Sequence, residues 1–189
     1  MIRSKALFAS GLIAVASVSA HAQGTIRFDT FVSGSPSVDA KVTDGVGGPA
    51  ISGAAGFAQL FVGTAANNLV AISSPVNFLT GAGAGYVLAG TVTLPTQAGF
   101  AGGNSVFVAV RAWSSSFASY AAAVAGNGKI GSSATLSYTL GGAGSPPSTP
   151  GPLVGLANFA IAPVPEPSVI ALAGLGLGGL ILARRSKKA

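Results

Sequence analysis

The sequence predicts a mainly β protein: an antiparallel β-sandwich or jelly-roll-like domain with one short helix. Three observations carry that prediction. Several short runs alternate apolar and polar residues with a period of two, which turns one face of each toward a core and the other toward water. Glycine (28 residues) and proline (11) join serine and asparagine in breaking these runs apart, as turns between short antiparallel strands require. Only one segment has the alanine-rich composition of a helix.

The strands follow in order. "TIRFDTFV" opens the body, followed by "GFAQLFVG" and "PVNFL". In "TVTL", Val92 and Leu94 share one face and Thr91 and Thr93 the other. "SVFVAVRAW" is apolar on both faces except for Arg111, so it belongs at the centre of a packed sheet. "TLSYTL" sets Leu136, Tyr138 and Leu140 against Thr135, Ser137 and Thr139, and "LANFAI" supplies a last strand after the long surface loop "GGAGSPPSTPGP". The helix lies in "SFASYAAAVAGNGK", where Gly126-Asn127-Gly128 stops it. The body is expected over residues 23–162, with a short tether around Pro163 to Pro167.

Both ends carry segments of a different kind. Arg3 and Lys5, an apolar run from Ala6 to Val18, and Ala20-His21-Ala22 before Gln23 stand in the order of a secretory signal peptide over residues 1–22, with Ala20, Ala22 and Gln23 marking the signal peptidase site. Val169 to Ala183 is fifteen residues without a charge, about 22 Å as a helix against a hydrocarbon core of about 30 Å. Its eight strongly apolar residues contribute about −2.5 to −5 kcal/mol toward insertion, opposed by four glycines. A weakly held transmembrane helix is expected at 169–183. The basic tail 184–189 should face the cytoplasm, and the signal peptide independently puts the body on the other side.

This placement also explains the formal charge of +6. Arg3, Lys5, Arg184, Arg185, Lys187 and Lys188 account for the whole excess, while Arg27, Lys41, Arg111 and Lys129 balance Asp29, Asp39, Asp44 and Glu166. A neutral body offers no basic patch against which phosphates could release counterions, so nucleic acid is not an expected partner.

The C-terminal array Val164-Pro165-Glu166-Pro167-Ser168, then an apolar Gly/Leu/Ala helix, then Arg184-Arg185, resembles the PEP-CTERM sorting signal of Gram-negative bacteria. The resemblance covers residues 163–189, with the motif at 164–168. It implies that an exosortase, a membrane-embedded cysteine protease or transpeptidase, recognises Pro165, Glu166 and Pro167, with Arg184 and Arg185 as the transmembrane stop. It further implies export across the inner membrane, a transient anchor there, and a final place at the cell surface or in an exopolysaccharide-containing extracellular matrix. Physical chemistry suits the motif: two prolines keep the backbone extended and remove two N–H groups, so the segment cannot join the helix that follows. Segments such as "QGTIRF", "TGAGAGYVLAGTVTLP" and "VAVRAW" give the body a resemblance to small secreted PEP-CTERM proteins of uncharacterised role.

Catalytic chemistry has little to work with. The chain has no cysteine, and its one histidine, His21, leaves with the signal peptide, so Ser-His-Asp and Cys-His arrangements are excluded from the mature body. Three aspartates precede the sorting motif, and Asp-Gly in "KVTDGVGGP" is a turn pair. A weak calcium candidate could use Asp39 and Asp44 with loop carbonyls. "GAGAGY" lacks the Lys-Ser/Thr of a phosphate loop. No cofactor is expected. Trp113 shares a strand face with Arg111 and Phe107, and with Tyr120 it could offer a platform for a sugar ring, though an arginine stem packed beside core aromatics explains the same residues. The expected role is that of a non-enzymatic surface or matrix protein. The alternatives are an exopolysaccharide-binding module and an envelope protein that keeps its anchor unprocessed.

Overall fold

In the computed structural model, residues 22–164 are described. The expected signal peptide up to His21 and the expected transmembrane helix at 169–183 lie outside them. Among the described residues, no helix is long and apolar enough to cross a membrane.

The described body is mainly β, and its centre is the pair β5 (Gly56–Ala65) and β9 (Ser105–Ser114). Their antiparallel register runs from Gly56 opposite Ser114 to Gly63 opposite Phe107. Alternation divides β9 cleanly: Val106, Val108, Val110 and Ala112 enter the core with Ala58, Leu60 and Val62 of β5. The opposite face carries Phe107, Ala109, Arg111 and Trp113, and it too is largely buried. This is why "SVFVAVRAW" reads as apolar on both sides.

Each flank of the central pair is made of two short strands in tandem. Beyond β9 lie β10 (Lys129–Ser132), opposite Arg111–Trp113, and β11 (Leu136–Thr139), opposite Ser105–Val108. Beyond β5 lie β6 (Asn68–Ala71) and β7 (Val76–Asn77). Where each flank is interrupted, a serine hydroxyl completes the ladder. Ser133 Oγ accepts from the Val110 N–H at 3.0 Å, and Ser73 Oγ accepts from the Leu60 N–H at 3.1 Å. Leu60 and Val110 are register partners, so the two breaks sit at the same level of the sheet.

β12 (Phe159–Pro163) continues the sheet past β10, and β4 (Val42–Asp44) pairs with β12 in parallel. The sheet is therefore mixed, where a purely antiparallel one was expected. Lys41 to Asp44 have no strong period-two signal, because the backbone of β12 rather than an alternating pattern holds them in place. β12 also runs through Pro163, one residue past the expected end of the body.

Two small sheets complete the core: β1 (Thr25–Asp29) with β8 (Leu88–Thr93), and β2 (Phe31–Val32) with β3 (Val38–Asp39). "TIRFDTFV" thus splits at Thr30. Ile26, Phe28 and Val38 from these sheets belong to the same buried cluster as the inner faces of β5 and β9. Thr30 is fully buried; its hydroxyl accepts from the Val87 N–H at 2.9 Å, and its own N–H donates to the Val87 carbonyl.

Among the described residues the one α-helix, α1 (Tyr120–Ala125), lies within the expected segment. Ser119 caps it, accepting from the Ala122 N–H at 3.1 Å. It ends as read from the sequence: Asn127 takes a positive φ of 54°, and the Gly128 N–H returns to the Ala123 carbonyl.

Candidate functional site

Three places in the body gather the residues with chemical potential. The first is the end of the sheet where β12 leaves the body. Pro163 pairs with Lys129 in the β10–β12 register, and the Val164 N–H donates to the Gly128 carbonyl at 3.3 Å. Beside this exit is an open cleft of about 780 Å³, its walls including Pro49, Ile51, Ala55, Phe117, Ile161 and Pro163. Lys129 Nζ stands at the cleft and donates to both oxygens of Asp44, at 2.8 and 2.9 Å. Both partners are more than two-fifths exposed, so the pair is screened and contributes little to stability. Pro165, Glu166 and Pro167 follow directly in the chain and lie outside the described residues, as do Arg184 and Arg185.

The second place is the outer face of β5 and β9. Trp113 is 0% exposed, its indole N–H donating to the Phe117 carbonyl at 2.9 Å. Its ring meets Phe57 at 5.9 Å and the edge of Tyr120 at 6.2 Å. The Arg111 guanidinium lies 4.3 Å over Phe61 and 5.2 Å over Tyr120. The structure therefore brings Trp113 and Tyr120 together, and it seals Trp113 beneath α1 with no ring face open to a sugar. Tyr120 and Arg111 are half-buried and keep part of their surface in water. Phe57 and Phe61 were not singled out from the sequence, although their place on the Gln59 face of "GFAQLFVG" was a signal that this face, too, is covered.

The third place comprises the aspartates. Asp39 and Asp44 are engaged separately: Asp39 accepts from the Tyr86 hydroxyl, and Asp44 from Lys129. Among the described residues, no group of three or more acidic, histidine or cysteine side chains could hold a metal ion. Asp29, nearly buried, pairs with Arg27 and accepts from the Gly90 N–H at 2.9 Å. The three carboxylates thus hold strands and loops together. The hydrogen bond to Asp39 raises the Tyr86 pKa above the usual tyrosine value, with burial adding to it, and burial raises that of Tyr138.

The glycine run "GAGAGY" is structural as well. Gly85, at a φ of 85°, donates to the Ile51 carbonyl and accepts from the Val42 N–H. A Cβ there would come within 2.6 Å of Lys41 Cγ and 2.9 Å of the Val42 carbonyl oxygen.

At the other end, Ala22 and Gln23 already belong to the fold. The Ala22 carbonyl accepts from the Gly102 N–H at 3.0 Å, Gln23 bridges Ala101, and its side chain donates to Thr96 Oγ1. Ala20 lies outside the described residues.

Comparison with known proteins bears on the first of these places. No curated protein and no solved structure gives a match. A family model described as the PEP-CTERM protein-sorting motif matches residues 163–188, a motif that implies an exosortase as processing enzyme and export across the inner membrane. From the residue that ends β12 onward, this chain carries a PEP-CTERM protein-sorting motif.

Proposed function

We propose that this chain is an exported, non-enzymatic protein of the cell surface or extracellular matrix, retained at the inner membrane only until an exosortase processes it. The observation that carries the proposal is the sorting-motif match at residues 163–188, which begins at Pro163, the last residue of β12. Pro165, Glu166 and Pro167 are the recognition element, residues 169–183 the transient span, and Arg184-Arg185 its cytoplasmic stop. A β-rich body with no histidine or cysteine after Gln23, and with its three carboxylates all engaged, supports a structural or binding role over a catalytic one.

Mass spectrometry of the protein released into the matrix tests this. A C-terminus upstream of Arg184 is expected. A released chain still carrying Arg184 and Arg185 refutes processing, and a chain held in the inner membrane with its tail intact makes it an anchored envelope protein.

A second proposal, exopolysaccharide binding, is favoured by one observation: Arg111 lies against Phe61 and Tyr120 with no carboxylate partner among the described residues. The candidate contacts are then Tyr120 and Arg111. Tyr120→Ala and Arg111→Gln should each weaken retention on the host's own polysaccharide, and equal retention of both variants and wild type rejects a glycan site on this face.

A further inference from the structure

We propose that the cleft at the end of β12 is the seat of the Pro165-Glu166-Pro167 segment of the same chain. Three observations lead there. The first is position. Pro163 forms part of the cleft wall, and the Val164 N–H is still bonded to Gly128. An extended residue advances about 3.3 Å, so the next three residues reach no more than about 10 Å from Val164. A cleft of about 780 Å³ opens within that distance.

The second is the match of apolar surfaces. A Pro-Glu-Pro segment has lost two of its three backbone donors and favours an extended backbone. Such segments dock in grooves lined by aromatic and apolar side chains, where few donors are left unpaired. Phe117, Pro49, Ile51 and Ala55 supply walls of that kind. The Phe117 ring is itself held in place by close packing on Gly126 and Gly128, where an added Cβ would lie 2.4 Å from it.

The third is charge. Glu166 is the one acid in the motif, and Lys129 stands at the cleft. Its bond to Asp44 is exposed and weak, so the ammonium can be shared with a second carboxylate close by.

A seated segment is closed to an enzyme cleft. An exosortase then captures the motif only from the released state, and its apparent affinity falls by the fraction of chains in that state. The body would thus set the rate of its own processing. This consequence rests on the sorting role of residues 163–188; the contact itself does not.

Cysteine crosslinking of the purified full chain in detergent, without exosortase, tests the contact. The chain has no cysteine of its own, so introduced pairs report cleanly. Ser116→Cys in the cleft wall is paired with Ser168→Cys. The comparison pair joins Ser168→Cys to Val46→Cys, which is 97% exposed on the neighbouring loop near the end of β12 and does not line the cleft. The cleft pair should form its disulfide about fivefold faster, and either Lys129→Glu or Glu166→Gln should remove most of that advantage. Glu166→Gln keeps the size and shape of the side chain and removes only its charge, and far-ultraviolet circular dichroism of the variant checks that the body is folded. Equal rates for the two pairs, or a fast cleft pair indifferent to both charge variants, overturn the proposal. Either result leaves the mass-spectrometric test of sorting untouched.

Discussion

Trp113 is the residue at which packing and glycan contact make opposite forecasts. Trp113→Ala removes a fully buried indole wedged between Phe57 and Tyr120. Deleting a buried aromatic costs about 3–5 kcal/mol. The Phe117 carbonyl also loses its donor, which adds about 1 kcal/mol where water cannot replace it. Against a total stability of about 5–15 kcal/mol, a loss of about 4–6 kcal/mol leaves a marginal fold. With a urea dependence of about 2 kcal/mol per molar, the midpoint should fall by about 2–3 M. Trp113→Phe keeps a ring and loses the N–H, so a smaller loss of about 1–2 kcal/mol is expected. The assay is urea unfolding followed by far-ultraviolet circular dichroism, since Trp113 is the chain's one tryptophan and both variants abolish its fluorescence. A Trp113→Ala protein less than about 1 kcal/mol weaker than wild type, yet unable to bind polysaccharide, would falsify the packing argument.

Further outcomes follow from the hydrogen bonds. Thr30→Val keeps the shape of the side chain and leaves the buried Val87 N–H without its side-chain acceptor, and Ser133→Ala does the same to the Val110 N–H; each should cost about 1–3 kcal/mol in urea unfolding. Tyr86 and Tyr138 hold their protons to higher pH when folded than when unfolded. Their contribution is therefore complete below the ordinary tyrosine value of 10.0 and is lost as pH rises through the raised values. Melting temperature should fall above pH 10, and Tyr86→Phe should flatten that decline. Chelation should leave the melting temperature unchanged, because Tyr86 and Lys129 already occupy Asp39 and Asp44; an ion bound at a hundred times its dissociation constant would contribute about 2.7 kcal/mol and show as a clear fall.

The sorting motif was legible because its information is one-dimensional. Pro165-Glu166-Pro167, an apolar run and Arg184-Arg185 mean what they mean through order and spacing, and the family match falls on the same residues. Strand positions were legible for a related reason. Burial on one face writes a period of two into "TVTL" and "TLSYTL", and burial on both faces erases polarity from "SVFVAVRAW". The short strands β3, β4, β6 and β10 left no such trace, since their two to four residues are not continued by alternating neighbours as those of β11 are by Thr135 and Leu140.

By itself, then, the sequence determined a β-rich body, the place of its helix, and a C-terminal address. Tertiary structure alone decided that Lys129 meets Asp44. Lys129 finds Asp44 across 85 residues because β4 lies parallel to β12 and β10 antiparallel to it, a pairing held by backbone hydrogen bonds that no side-chain pattern records. Tertiary structure also decided that Trp113 is sealed while Arg111 and Tyr120 keep some surface. Exposure depends on what packs above a strand face, and here α1 folds back over the strand it follows while Phe57 and Phe61 arrive on β5, some fifty residues away.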